Sequence, residues 1–373
     1  MPRVPASVSS SATPDAEDGL GAALVEVGVA SGLAAVGITS AGVFEHTRRD
    51  LVDRKQRGLH GGMQFTYRNP DRSTDPARIL PGARSLVVGA WGYRRQEPDP
   101  TSGRNSEAPS GEVASYARSD HYTSLRDALA RMAVHLRGLG WRAVVVCDDN
   151  GLVDRAVAHR AGLGWYGKNT LLLLPGLGSW FVLGSVVTDA PLLPTATGPE
   201  ALHGAGCGRC TRCLGACPTG ALVAPGVLDA RRCLAWLLQA KGSFPVPYRR
   251  ALGTRIYGCD ECQRACPINE VADRREPPPV GTEEEHPVDL VALLESDDDE
   301  LMAAYGRWYV PDREPRYLRR NALVALGNSG TGRHPGTERV LRRTLAATDP
   351  MIVEHAEWAA RQLGRADLVG PAR

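Results

Sequence analysis

The sequence predicts an α+β protein of two or three domains, and three observations predict it. Short apolar runs alternate with helical patterns up to about residue 195. Eight of the nine cysteines fall between 207 and 266. The last third carries helix-length amphipathic segments. With 373 residues, 43% hydrophobic and 23% charged, the chain is long and apolar enough to fold throughout most of its length. A net charge of +2 excludes a uniformly basic nucleic-acid coat but leaves room for a local basic patch.

In chain order, residues 1–18 are rich in Ser, Pro and Ala, lack the apolar core of a secretory signal, and read as a disordered tail. Ala22–Val36 has helical composition. Ser85–Trp91 reads as a strand, and Gln96–Gly111 as a Pro/Gly/Ser-rich surface loop. Ser124–Leu139 places Leu125, Leu129, Met132 and Leu136 on one helical stripe. Arg142–Cys147 is a strand ending in the turn signal Asp148–Asp149–Asn150–Gly151, and Leu152–Gly162 is the next helix. The uncharged stretch Asn169–Thr188 is interrupted by Pro175, Gly176 and Gly178, so it reads as two buried strands about a turn, with no membrane span. A cytoplasmic monomer is expected.

Glu276–Pro287 has linker composition. Beyond it, Leu290–Glu295, Arg316–Leu326, Glu338–Ala346 and Met351–Leu363 read as helices. RRNALVALGN at 319–328 and EHAEWAARQLG at 354–364 resemble the second helix of HEAT-like repeats. Residues 283–300 hold nine acidic side chains, and residues 307–344 nine arginines against three acids. Such a bias fits either two solvated faces or a phosphate-binding surface.

The cysteine spacing is the most specific signal. Cys207-x2-Cys210-x2-Cys213-x3-Cys217-Pro218 is a bacterial ferredoxin run, followed by Cys233 and the partial copy Cys259-x2-Cys262-x3-Cys266-Pro267. In two-cluster ferredoxins the fourth cysteine of each run ligates the other cluster. That logic assigns Cys207, Cys210, Cys213 and Cys266 to one 4Fe–4S cluster and Cys217, Cys233, Cys259 and Cys262 to the other. Structural zinc is the competing use of CxxC pairs. Cys147 lies outside the set and reads as a small buried hydrophobe. Clusters conduct electrons without transforming a substrate, so the residues before 195 are expected to hold the acceptor. They contain neither GxGxxG nor GxxxxGK[ST].

Several stretches together resemble the epoxyqueuosine reductase family. They are GGMQFTYR at 61–68, AGLGWYGKN at 161–169, GSWFVL at 178–183, CGRCTRCLGACPTGA at 207–221 and GTRIYGCDECQRACPIN at 253–269, followed by 307–328. The chain departs from the family in its long 96–111 loop and in Tyr116–Tyr122, which is one residue short with His and Tyr exchanged. The resemblance implies a cobalamin-binding, flavin-reductase-like domain (19–195), a ferredoxin-like two-cluster domain (196–275), and a linker with HEAT-like repeats that bind tRNA (276–373). It implies reduction of epoxyqueuosine to queuosine at the wobble position of tRNA, with electrons from an external donor such as a flavodoxin or ferredoxin.

Asp148 is the implied proton donor and a cobalamin neighbour, with Asp149 as the turn residue. Implied cobalamin contacts are Arg68, Lys168, Asn169, Leu172, Leu183, Asp260 and Glu261; Arg316, Arg319 and Arg320 are candidate tRNA contacts. No DxHxxG motif is present, so no histidine ligand to cobalt is expected. A reductive dehalogenase-type enzyme and a plain iron–sulfur electron carrier are the alternative readings.

Overall fold

In the computed structural model, residues 14–94, 108–196, 205–275 and 287–370 are described. Residues 1–13 of the expected 1–18 tail, most of the 96–111 loop and nearly all of the 276–287 linker lie outside them, whereas residues 14–18, expected in the tail, begin the first helix. Secondary structure mixes helices and sheets, as the alternation of patterns predicts. Among the described residues no helix is long and apolar enough to cross a membrane.

The first half is organised by a four-stranded antiparallel sheet in the order Ala35–Ser40, Ser85–Gly92, Phe181–Thr188, Ala143–Cys147. Its two central strands are apolar without alternation because both faces are covered. The helix His121–Gly138 presents Leu125, Leu129, Met132 and Leu136 to one face, and the helix Asp154–Arg160 presents Ala156 and Val157 to the other. Gly89 and Gly184 are register partners at the centre. A Cβ at Gly184 would stand 2.7 Å from Leu129, so this glycine pair lets the long helix lie close against the sheet.

Two expectations are corrected here. The first helix is Pro14–Ala30, and residues 31–34 turn through Gly32 into the strand Ala35–Ser40; helical composition runs on into what becomes a sheet edge. The polar segment ending at 111 contributes the strand Ser110–Val113. That strand is the middle of a three-stranded sheet, parallel to Arg255–Tyr257 and antiparallel to Val288–Asp289. Three regions that the sequence separates are therefore hydrogen-bonded into one sheet.

The C-terminal helices form where expected: Leu290–Glu295, Arg316–Asn328, Pro335–Leu345 and Pro350–Gln362, with Asp298–Tyr305 in addition. They share a core with Val113, Ile256 and Tyr257 from the three-stranded sheet. Asp289 and Asp297 cap the two helices that follow them, the latter in a reciprocal capping box with Glu300.

A buried polar knot fixes these helices against residues 234–252. His355 is fully buried. Its Nδ1–H faces the Met351 carbonyl at 2.7 Å, and its Nε2 accepts from the Phe244 amide at 3.0 Å and lies 3.2 Å from the Arg249 guanidinium. This pattern requires the neutral ring, although Glu354 lies 3.9 Å away. Burial lowers the His355 pKa to about 4. Because the folded value lies below the unfolded value of about 6.5, the unfolded chain binds the extra proton first. Stability is therefore expected to fall, by on the order of 2 kcal/mol, as pH drops from about 6.5 towards about 4. Urea midpoints measured across that range should show a shallower acid slope for His355→Gln than for the unsubstituted protein; equal slopes would reject the assignment.

Candidate functional site

All nine cysteines are free thiols. Cys207 ends a 3-10 turn, and the Cys210 amide donates to the Cys207 carbonyl at 3.0 Å, so the CxxC loop folds back on itself. Cys213 lies in the helix Arg212–Ala216, Cys262 in the helix Glu261–Arg264, and Cys266 just before the helix Pro267–Arg275. Mutual influence sorts the thiols. Burial, and then the charges of Cys266, Cys207 and Cys210, raise Cys213. Burial, and then Cys259, Cys233 and Cys217, raise Cys262 well above the usual thiol range; Cys213 contributes least. Cys217, despite its burial, is lowered by amides of Thr219, Leu222 and Ala221, the last at 3.2 Å from Sγ.

Cys266, Cys207 and Cys210 thus act on Cys213, whereas Cys259, Cys233 and Cys217 act most on Cys262. Their donor set is all sulfur, which suits iron–sulfur clusters. Among the described residues no three His, Cys, Asp or Glu side chains are grouped to hold a single metal ion; a 4Fe–4S cube spaces its four thiolates more widely than one ion does.

The segment GLGWYGKNTLLLL folds into a hairpin, Trp165–Tyr166 against Leu172–Leu173, with Lys168 and Asn169 at its tip. Lys168 Nζ donates to the carbonyls of Gly208 (2.7 Å) and Cys210 (2.9 Å). Asn169 Nδ2 donates to the Cys262 carbonyl at 3.3 Å. Both side chains are therefore committed to the cysteine loops. Asp260 is likewise buried, accepting from the Ser115 amide (3.0 Å), the Ser115 hydroxyl (2.9 Å) and Arg264. Glu261 is ion-paired to Arg255. Leu172 and Leu183 belong to the core under the sheet, 1% and 7% exposed. These six residues, expected at a corrin ring, also have partners within the protein: four make polar contacts with the protein and two lie in the core. Arg68 is exposed.

Three residues without an expected role complete this seam. Gln263 Nε2 donates to Tyr93 Oη (3.1 Å) and the Ser179 carbonyl (2.9 Å). Asn269 Oδ1 accepts from the Ser179 amide (2.8 Å), and its Nδ2 donates to the Gln263 carbonyl (2.8 Å). All three side chains are buried. Gln263 and Asn269 stand inside the CxxCxxxCPIN stretch, so their position was visible; their partner at Ser179 was not.

Asp148 follows the edge strand Ala143–Cys147 in a left-handed conformation, φ +54, which an L side chain adopts at a cost. Asp149 is the turn residue, its Oδ1 accepting from the Gly151 amide at 2.6 Å. Ser73 Oγ bonds the Asn150 carbonyl (2.8 Å) and the Thr66 carbonyl (3.0 Å), tying this loop to the 61–73 segment. The Asp148 side chain is exposed yet partly desolvated by the protein around it. That environment raises its carboxyl above the usual range, with Arg126 opposing and Asp149 adding. Asp154 is raised further, by burial and then by Asp148, and its Oδ1 has no hydrogen-bond partner. Cys147 is buried and pushed up to about 12, an inert thiol as expected.

The three arginines expected at tRNA all have protein partners, and one of them is closed off. Arg320 is fully buried, and its guanidinium donates to the carbonyls of Leu237, Leu238, Ala240 and Gly242, so it is closed to an RNA surface. Arg319 pairs with Asp298 and donates to the Ser296 carbonyl; Arg316 pairs with Glu314 and Asp349. Arg339 pairs with Glu295. Part of the arginine excess thus neutralises the acidic stretch before it.

Residues 206–269 match the family model for a 4Fe-4S double cluster binding domain. The chain is 34% identical to the epoxyqueuosine reductase of Bacillus cereus over 91% of its own length and 88% of that protein. It is 33% identical to the one from Pseudomonas aeruginosa over 89% and 91%. Among solved structures, an epoxyqueuosine reductase with a tRNA-Tyr epoxyqueuosine-modified stem loop superposes with a TM-score of 0.81, at 31% identity over 93% of this chain and 90% of that one. The Bacillus subtilis enzyme, with its catalytic aspartate loop swung out of the active site, superposes with a TM-score of 0.80, at 30% identity over 94% and 92%. The chain belongs to the epoxyqueuosine reductase family.

Proposed function

We propose that this chain reduces epoxyqueuosine to queuosine at the wobble position of tRNA, with Asp148 as the proton donor. The reading is supported by a 4Fe-4S double cluster segment together with a carboxyl raised above its usual range on a strained loop. In this reading the parts are a flavin-reductase-like unit, a ferredoxin-like unit and a HEAT-like tail that receives the tRNA. Cys207, Cys210, Cys213 and Cys266 hold one cluster; Cys217, Cys233, Cys259 and Cys262 hold the other. An external one-electron donor such as a flavodoxin or ferredoxin feeds them.

For a corrinoid, the fit rests on unpaired polar groups. Asp154 Oδ1 is buried without a partner beside Asp148, and an amide-rich corrin edge would offer it a donor; Arg68 is exposed to meet a second polar edge. Cobalamin, when bound, supplies a reduced cobalt nucleophile able to open a strained epoxide. The net reaction takes up two electrons and two protons, breaks both carbon–oxygen bonds of the epoxide and releases water. Opening the ring places negative charge on oxygen, and a neutral carboxyl at Asp148 delivers a proton where that charge develops. Desolvation first, and then the Asp149 charge, keep the proton on Asp148 longer than an isolated carboxyl would hold it, against the opposing Arg126.

Asp148→Asn should keep iron and cobalamin content and lower turnover by about 100-fold or more. Wild-type turnover should decline as pH rises past the raised Asp148 value, because the donor form is lost. Full turnover in Asp148→Asn would refute the role.

Cys213→Ser should reduce iron from about eight atoms per chain to about four, measured with sulfide on anaerobically purified protein. Zinc in place of iron would overturn the reading altogether.

A further inference from the structure

Lysine is rare in this chain: Lys55, Lys168 and Lys241 are the only three among 44 basic residues. At position 168 a compact ammonium therefore stands where the chain elsewhere uses a guanidinium. Lys168 spends that ammonium on the main chain of the first cysteine loop, donating to the carbonyls of Gly208 (2.7 Å) and Cys210 (2.9 Å). Among the described residues no carboxylate is ion-paired with it, so its positive charge is left facing the loop. The neighbouring Asn169 reaches the other loop, at the Cys262 carbonyl (3.3 Å), but with a neutral amide. The hairpin tip thus touches both cysteine segments and delivers charge to one.

Trp165 opens the same hairpin and lies against the same loop. A Cβ built on Gly206 would stand 2.2 Å from Trp165 Nε1 and 2.4 Å from its Cε2, so the nitrogen edge of the indole rests on the Gly206 backbone, one residue before Cys207. Trp165 Nε1 is buried and its N–H has no hydrogen-bond partner in the protein. A buried donor left unpaired is unfavourable unless a group other than protein accepts from it. The sulfur of a cluster held at Cys207 is an acceptor of the right chemistry, and hydrogen bonds to sulfur together with local charge set the potentials of such clusters.

We propose that Lys168 and Trp165 raise the reduction potential of the cluster at Cys207, Cys210, Cys213 and Cys266, Lys168 by its ammonium and Trp165 by its free indole N–H. The proposal rests on the two-cluster reading above and adds the residues that set the energy of the electron in one of the clusters. The step they bias is the uptake of one electron by that cluster from the external one-electron donor; no bond breaks and no proton moves. The reduced cluster carries one more negative charge than the oxidised one. An adjacent cation and a hydrogen bond to sulfur therefore both favour the reduced form.

The test follows cluster reduction by electron paramagnetic resonance at controlled potentials, on full-length protein purified without oxygen. Lys168→Gln keeps an amide donor for one carbonyl and loses the charge. It should retain about eight irons per chain. One of its two cluster potentials should fall by about 59 mV, a tenfold loss of the reduced form at fixed potential, while the other stays in place. Lys168→Arg should return the wild-type potential. Trp165→Phe, which keeps a ring and removes the N–H, should lower the same potential as Lys168→Gln; an unmoved potential there overturns the part given to the indole. Unchanged potentials in Lys168→Gln overturn the proposal, as does an equal shift of both clusters, which would mark a general rearrangement. Loss of four irons from Lys168→Gln overturns it too, because the lysine would then build the loop without biasing its cluster. Absence of two iron–sulfur signals from the wild-type protein would instead overturn the two-cluster reading on which the proposal stands.

Discussion

The buried polar seam between the first sheet and the cysteine segment is the constraint on which the rest of the structure depends. A loop that presents four thiols has little apolar surface with which to hold its own shape. Here its shape is imposed by side chains that bond its main chain: Lys168 on Gly208 and Cys210, Asn169 on Cys262, Asn269 on Gln263. Buried amides and carboxylates with all partners present are rigid, because any displacement leaves a desolvated polar group unpaired. Ser179, Tyr93 and Ser115 supply the other side from the sheet unit.

The same device recurs at the C-terminal helices. Arg320 spreads its donors over four carbonyls at the end of the 234–242 segment, and Arg249 and His355 close the neighbouring gap with Phe244. Burial lowers the Arg320 pKa to about 10, which still leaves it charged near neutrality. Buried guanidinium groups suit this use because their planar fork meets several carbonyls at once. The arginine-rich stretch is thus divided: part of it is mortar between segments, and the exposed remainder is what an RNA could meet.

Against this rigidity the Asp148 loop stands out. It carries a left-handed aspartate at the end of an edge strand, held mainly by the Asp149 turn and by Ser73. Partial desolvation raises the Asp148 carboxyl above its usual range at the same point where the backbone is strained.

Much of this was legible in the residues. Cysteine spacing marked the segment that matches a 4Fe-4S double cluster domain, because CxxC and CxxxC turns are local geometry. Helix and strand periodicity placed the main elements of the sheet unit and the C-terminal helices, and DDNG marked both the turn and the acid beyond the strand. What tertiary structure alone decided is the partner of each polar side chain. The protein partners of Lys168, Asn169, Asp260, Glu261 and Arg320 were not visible in the sequence, since a polar residue near a motif looks alike whether it faces a ligand or a backbone carbonyl. The strand Ser110–Val113 escaped for a related reason: its apolar content is slight, and it exists because Arg255–Tyr257 and Val288–Asp289 offer edges for its backbone to pair with. Local spacing determines which atoms can converge within one loop, whereas burial and long-range pairing determine which polar group each of them meets.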